Sequence, residues 1–307
     1  MKKRPIKDVA ASVHRRLLNV ARQANRPFND LLQYYADERW LYRLSQSQYS
    51  ERFILKGALM LLVWDTPVRR PTRDIDLLGR VSNDLESIRS AISEVCRTAV
   101  EEDGLVFDAD NVTTERITED ADYEGVRARF RGHLGNSRIA MQIDIGFGDE
   151  ITPGPVGIVY PTILDHPSAE LRAYNRETAV AEKLEAMVKL GELNSRMKDF
   201  FDIWLLAEHF EFDGQTLAEC VRRTFQQRQT QLHPEPICLT EGFSIDLAKT
   251  DQWEALVRRG RLSDAPTGFP KVVEHVRAFL RPLMSAIAEE QDVDMRWPPG
   301  GPWQPQS

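Results

Sequence analysis

The chain has 307 residues, 42% hydrophobic and 28% charged, a balance typical of a globular protein large enough for two lobes. Its formal net charge of −7 gives no general attraction to nucleic acid, so any RNA or DNA contact has to come from local basic patches. Three widely spaced cysteines and the lack of a long apolar run predict a cytoplasmic protein with reduced thiols, neither secreted nor membrane-spanning.

The first lobe is predicted to span residues 1–160 and to combine helices with a mixed sheet. Val9, Val13 and Leu17 recur at helical spacing between basic residues, which predicts a basic amphipathic helix over residues 5–25. A second helix is expected after Asn29. Further helices are predicted at 59–64 and 84–100, and strands at 53–55, 74–78, 112–117, 123–134 and 138–145.

Beyond the Gly- and Pro-rich stretch 152–161 the pattern becomes helical, which predicts a second lobe over residues 161–291. The tail, 292–307, is rich in Pro and Gly and is expected to be disordered. The fold class is therefore α+β, with a mixed-sheet lobe followed by a mostly helical lobe. Helices are predicted near 168–191, 197–210, 215–229, 248–259 and 269–290.

Asp74 and Asp76 are the first candidates for a chemical site. Side chains two apart on a strand share a face, so both carboxylates point one way while Ile75 and Leu77 enter the core. A bound divalent cation, Mg²⁺ or Mn²⁺, would offset the repulsion between them; a solvated strand face or a turn is the alternative. Asp144, on a second alternating strand, either completes a three-carboxylate metal cluster or simply ends that strand.

Lys56 and Gly57 stand between a buried strand and the start of a helix. Backbone N–H groups at a helix start attract phosphate, and a glycine lets the phosphate approach closely. A tight strand-to-helix turn is the plain alternative. The glycine turn comes about twenty residues before the Asp74 motif, an order that resembles the phosphate loop and metal ligands of polymerase-beta-like nucleotidyltransferases.

Four motifs in chain order carry a resemblance. Phe-Ile-Leu-Lys-Gly-Ala-Leu-Met-Leu-Leu at 53–62 precedes Arg-Pro-Thr-Arg-Asp-Ile-Asp-Leu-Leu at 70–78. Ala-Glu-Lys-Leu-Glu-Ala-Met-Val-Lys-Leu at 181–190 is followed by Arg196 and by Lys-Asp-Phe-Phe-Asp at 198–202. The set resembles the AbiEii/AbiGii family of nucleotidyltransferase toxins.

The resemblance implies a polymerase-beta-like fold and a toxin paired with an antitoxin protein. It also implies transfer of NMP from an NTP to an RNA acceptor, a tRNA 3′ end in some relatives. Ala58 departs from the glycine or serine that relatives often carry, and Thr72 occupies a frequent serine or threonine position. The implied phosphate-binding residues are Lys56, Gly57, Ala58 and Thr72, the catalytic residues Asp74, Asp76, Lys183 and Asp199, and the metal ligands Asp74, Asp76 and Asp144.

Lys183 lies at the edge of an apolar helical stripe, where a lysine commonly covers hydrophobic surface with its stem. Its position in the resemblance favours contact with phosphate instead. Asp199 and Asp202 are one helical turn apart among large apolar residues, so at least one carboxylate needs a buried partner. A structural salt bridge to Arg196 or Lys183 is as acceptable as catalysis for Asp199, and it is preferred for Asp202.

Arginines at 127, 129 and 131 alternate with apolar residues, and this row suits a triphosphate or an RNA backbone, or else a solvated outer face. Arg69, Arg70 and Arg73 lie nearer the carboxylates and are better placed to steer a polyanion. Two other functions stay open at this stage. The acceptor could be a small molecule or a protein, or the chain could bind NTP without catalysis.

Overall fold

The computed structural model describes residues 8–67, 70–119, 123–262 and 264–306. The chain forms two compact units whose bounds differ from the predicted lobes 1–160 and 161–291. Residues 65–70 and 149–155 belong to the second unit, and residues 156–173 belong to the first. Unit 1 consists of Met1–Trp64, Pro71–Gly148 and Val156–Ala173, and unit 2 of Asp65–Arg70, Asp149–Pro155 and Tyr174–Ser307.

Within the described residues, unit 1 is built on an eight-stranded mixed sheet. The strands are β1 (Phe53–Lys56), β2 (Asp74–Gly79), β3 (Leu105–Phe107), β4 (Thr113–Glu119), β5 (Tyr123–Leu134), β6 (Ser137–Phe147), β7 (Val156–Val159) and β8 (Glu170–Ala173). Their order is β3-β5-β6-β2-β1-β8-β7, with β4 paired to the first part of β5. Strand β2 runs antiparallel to β1 and parallel to β6.

Helices α1 (Val9–Gln23), α2 (Phe28–Ser45), α3 (Met60–Val63) and α4 (Leu85–Arg97) belong to the same unit. Their apolar residues form one core with the inward-facing residues of the sheet, among them Ile75, Leu77, Ile143 and Ile145. Because side chains alternate along a strand, Asp74 and Asp76 face away from this core. The α+β fold class is confirmed by this arrangement.

Unit 2 is mostly helical, with α5 (Arg176–Leu190), α6 (Met197–His209), α7 (Gly214–Gln227), α8 (Glu241–Ser244), α9 (Leu247–Gly260) and α10 (Phe269–Ala288). A small sheet combines β9 (Phe212–Asp213), β10 (Met295–Trp297) and β11 (Gln304–Pro305). Across the described residues, no helix is both long enough and apolar enough to cross a membrane.

Two stretches differ from the sequence prediction. The helix expected over 168–191 begins only after β8, where the side chain of Asn175 accepts a hydrogen bond from the backbone N–H of Thr178 at 2.7 Å and caps α5. The tail is ordered over residues 292–306. Trp297 is buried and donates to the carbonyl of Ala207 at 2.7 Å, while Trp303 stacks on Phe279 with ring centroids 5.7 Å apart. The apolar area of two indoles outweighs the flexibility of the Pro- and Gly-rich chain around them.

Candidate active site

Asp74 and Asp76 lie half-buried on the face of β2 that points away from the core. Strand register places Asp76 between Lys56 of β1 and Asp144 of β6. Asp74, one step along, lies opposite Gln142 of β6. The shared face of the two carboxylates, predicted from their spacing, is thus present in the structure.

Gly57 makes room for one of these carboxylates. Its φ is +73°, in the region that favours glycine, and a Cβ added there would lie 2.6 Å from Cγ of Asp76. The carboxylate therefore occupies the space that any other residue at position 57 would need. The expected helix starts here as a 3₁₀ turn, Gly57–Leu59, in which Ala58 is buried.

Asp144 is paired with an arginine. Arg127 on β5 donates to both of its oxygens, from Nε and from Nη2, each at 2.7 Å. Gln142 donates to Oδ2 of the same carboxylate at 3.2 Å. Sequence reasoning missed these contacts, yet the two-residue turn Gly135-Asn136 joins β5 to β6, pairs residue 134 with 137 and so fixes residue 127 opposite 144.

The donor chemistry of Asp74 and Asp76 fits a hard divalent cation. Mg²⁺ commonly uses one or two protein carboxylates and completes its shell with water and substrate phosphate. In the described part of the chain no three His, Cys, Asp or Glu side chains are placed to hold a metal together. The three-carboxylate cluster expected from the sequence is therefore not assembled, and the role of Asp144 as a ligand stays a prediction.

Asp37 on α2 is a buried carboxylate near this site that sequence reasoning missed. Its Oδ1 accepts a hydrogen bond from Gln33 at 2.9 Å, and its Oδ2 has no hydrogen-bond partner within the described residues. Burial raises the pKa of Asp37 well above its usual value, and the nearby charge of Asp74 adds to the effect. No sequence signal distinguishes this aspartate from a surface residue of a helix.

Unit 2 contains a second group of charged residues, built around Lys183. Its Nζ lies 2.9 Å from Oδ1 of Asp199 and 2.7 Å from Oδ2 of Asp202. Arg196 contributes a hydrogen bond from Nε to Oδ2 of Asp199 at 2.6 Å. The structure therefore brings Lys183 and Asp199 together through α5 and α6, in the salt bridges that the sequence allowed as an alternative to catalysis.

Arg70 completes this group on the side of Asp202. It donates from Nε to Oδ1 at 2.7 Å and from Nη2 to Oδ2 at 2.8 Å, and both side chains are buried. The sequence suggested that Arg70 steers a polyanion; here its guanidinium is bound to a carboxylate. Three cations, Lys183, Arg70 and Arg196, thus surround two carboxylates, so the five groups carry one net positive charge.

Burial by itself disfavours the charged forms in this cluster, but the opposite charges prevail. The pKa of Lys183 is raised, against the effect of burial, by Asp199 and Asp202. The pKa values of Asp199 and Asp202 are lowered, again against burial, by their cationic partners. All three groups are therefore ionised around neutral pH.

Three predicted residues remain, Thr72, Arg73 and Arg69. The hydroxyl of Thr72 is 3.5 Å from the carbonyl oxygen of Asp74, which is at the long limit of a hydrogen bond. Arg73 is exposed, whereas Arg69 lies outside the described residues.

Comparison with known proteins identifies the class. The family described as "Nucleotidyl transferase AbiEii toxin, Type IV TA system" matches residues 39–280, which is more than half of the chain. The chain therefore belongs to the AbiEii family of nucleotidyltransferase toxins. It is a nucleotidyltransferase with an NTP as substrate, and a toxin with an antitoxin as its counterpart.

Three solved structures are also similar. One is MenT4, a nucleotidyltransferase toxin of Mycobacterium tuberculosis H37Rv, with 17% identity, 92% of this chain and 99% of that chain covered, and a TM-score of 0.46. A putative nucleotidyltransferase from H. pylori has 14% identity, coverage of 83% and 95%, and a TM-score of 0.46. JHP933 from Helicobacter pylori has 14% identity, coverage of 82% and 89%, and a TM-score of 0.45. No curated protein matches the chain.

Proposed function

We propose that this toxin transfers a nucleoside monophosphate from an NTP to an RNA acceptor, a tRNA 3′ end, in a reaction that depends on Mg²⁺ or Mn²⁺ and takes place in the cytoplasm. In this reaction the acceptor hydroxyl loses its proton to solvent and its oxygen forms a bond to the α-phosphorus. The bond from that phosphorus to the β-phosphate oxygen breaks, and pyrophosphate leaves. The observation that carries the proposal is the position of Asp74 and Asp76 on one face of β2, with Gly57 leaving room for Asp76.

Asp74 and Asp76 would hold the cation, which supplies charge stabilisation for the phosphates and for the departing pyrophosphate. Asp144 becomes the third ligand in this proposal only when Arg127 releases it. Lys56, Gly57, Ala58 and Thr72 would contact the triphosphate, with Lys56 as the charged member of the set. These oxygen donors and the neighbouring amine are the groups that recognise a metal–nucleotide complex.

Lys183 is proposed to meet the negative charge that develops during phosphoryl transfer, with Asp199 as the residue that orients its ammonium. The two carboxylates beside Lys183 keep it protonated, so it is a permanent cation at the pH of the reaction. A fixed cation of this kind stabilises a transition state more than a ground state when its distance suits the transferring group.

The test is transfer of label from an α-³²P-labelled NTP to total tRNA by the purified wild-type protein, with Mg²⁺, with Mn²⁺ or with a chelator. Asp74→Asn and Asp76→Asn keep the size of each side chain and remove its charge, so both should abolish transfer. Asp110→Asn is the matched control, because that carboxylate is exposed and pairs only with Arg97 among the residues described. Undiminished transfer in the chelator or in both site variants would overturn the proposal, and label on a protein or small molecule instead of tRNA would replace the acceptor.

A further inference from the structure

One strip of basic residues on the sheet of unit 1 has no part in the reaction proposed above. Arg129, Arg131 and His133 follow one another on the same face of β5, since side chains two apart share a face. Arg138 on β6 lies opposite His133 and points the same way. These four residues are called the basic strip below.

The strip begins beside the carboxylates and leads away from them. Register aligns Asp74 of β2, Gln142 of β6 and Arg129 of β5 across neighbouring strands. Arg131 lies one step further along, opposite Ala140, and the pair His133 and Arg138 one step beyond that. All of these side chains share the face on which Asp74 and Asp76 lie.

The charges along the strip are unevenly neutralised. Arg129, next to the carboxylates, donates from Nη1 to Glu115 of β4 at 2.6 Å. Arg131 and Arg138, at the far end, are exposed and form no ion pair with any described residue. Excess positive charge therefore increases with distance from Asp74, on a protein whose overall charge is negative.

We propose that the basic strip binds the acceptor RNA through the phosphates of an unpaired segment just before its reacting end. This inference rests on the proposed function, because it takes RNA as the acceptor. Residues two apart on a strand are about 6.8 Å apart, close to the separation of successive phosphates in an extended single strand. Arginine forms paired hydrogen bonds with phosphate oxygens, and the ring of His133 is of a type that stacks on an unpaired base.

The alternative occupant of the strip is the triphosphate of the NTP. A triphosphate is compact and has to reach the metal ligands, whereas Arg131 and Arg138 lie one and two steps beyond the register of Asp74, on the side away from Asp76. Positive charge that continues away from the carboxylates suits a polymer. The triphosphate therefore does not account for the far end of the strip.

The test compares wild type, the double variant Arg131→Ala/Arg138→Ala, and the control Arg89→Ala. Arg89 is a half-exposed arginine on α4 that pairs with Glu86. Binding of fluorescein-labelled total tRNA is measured by anisotropy over a series of KCl concentrations, and the KM for tRNA and for NTP is measured by label transfer. Circular dichroism establishes that both variants are folded.

The expected result for the double variant is binding of tRNA weakened roughly tenfold, with the slope of log K against log salt reduced by about 1.4, as for two lost single-strand phosphate contacts. The KM for tRNA rises in step, while the KM for NTP and the properties of Arg89→Ala stay at wild-type values. An unchanged salt slope, or a raised KM for NTP alone, overturns the strip as an RNA surface and leaves the proposed function intact. Failure of the wild-type protein to bind or label tRNA overturns both.

Discussion

Arg70 holds Asp202 by two hydrogen bonds, at 2.7 and 2.8 Å, although the two residues are 132 positions apart in the chain. Lys183 contacts the same carboxylate at 2.7 Å, so a single buried anion receives two cations. Burial of an ion pair with this geometry changes the folding free energy little as long as all of its charged partners are present. Removal of one partner leaves an uncompensated charge, which is far more costly.

Asp202→Asn is therefore expected to lower the free energy of unfolding by about 3 kcal/mol, because it leaves Arg70 and Lys183 with one carboxylate fewer in a buried cluster. Urea unfolding followed by circular dichroism measures the change. Asp251→Asn, at an exposed position on α9, serves as the control and should unfold like the wild type. An unaltered urea midpoint for Asp202→Asn would mean that Asp202 does not stabilise unit 2.

Lys183→Met keeps most of the side-chain stem and removes its charge. Turnover should fall by about two orders of magnitude or more if the ammonium stabilises the transferring phosphoryl group. Some stability should be lost as well, since Asp199 and Asp202 each keep only an arginine. Steady-state transfer at saturating NTP, well below the melting temperature, separates the two effects.

Lys198→Met is the matched variant for this measurement, because Lys198 is exposed on the helix that carries Asp199. It should retain full turnover. Wild-type turnover in Lys183→Met would end the catalytic assignment of Lys183 and leave it as a structural cation.

Gly57→Ala places a methyl group where the Asp76 carboxylate lies, at a backbone φ of +73°. Gly148→Ala introduces a similar strain at φ +85°, but nothing lies within 4 Å of its added Cβ. Each variant should lose about 1 kcal/mol of stability from the backbone conformation. Only Gly57→Ala should lose metal-dependent transfer, and equal activity of the two variants would contradict a role for the position of Asp76.

Glu38 gives a pH dependence of stability with a defined sign. Burial raises its pKa from 4.5 to about 7. Between these values the folded protein keeps a proton that the unfolded chain has lost, so the free energy of unfolding falls as pH rises from about 4.5 to about 7. The contribution of this one group is at most about 3 kcal/mol.

Glu38→Gln removes this titration while retaining an oxygen that can accept the 2.7 Å hydrogen bond from the backbone N–H of Ile163. Denaturant unfolding at pH 5, 6 and 7 should show the variant gaining stability relative to the wild type as pH rises. Parallel pH profiles for the two proteins would refute the raised pKa.

The strands of the site could be predicted from the sequence, because the alternation of their side chains is a property of each strand by itself. The alternation at Asp74 and Asp76 depends only on the pleat of one strand, and that of β5 and β6 on each strand having one buried face. The turn at Gly135-Asn136 would also have given the Arg127–Asp144 pair, had the register been followed from it. This part of the site follows from residues close together in the sequence.

Other features depend on partners far along the chain. No sequence pattern near Arg70 indicates that it binds Asp202. Arg69 and Arg73 are also arginines, so the local sequence does not single out Arg70 as the one that forms the pair. The helix predicted over 168–191 includes the four residues of β8, because so short a strand has little periodicity of its own. In the tail, composition suggested disorder, but Trp297 is held by the carbonyl of Ala207, ninety residues earlier.

The chain passes five times between its two units, at residues 64/65, 70/71, 148/149, 155/156 and 173/174. Neither unit corresponds to one continuous stretch of gene. Recombination between two relatives at any single position would join segments of different ancestry inside at least one unit, where their packing has not been matched. Even a junction at 173/174 takes Arg70 and Asp202, which pair inside unit 2, from different relatives. We therefore expect laboratory hybrids with a single junction to lose stability unless both relatives supply matching residues at such pairs.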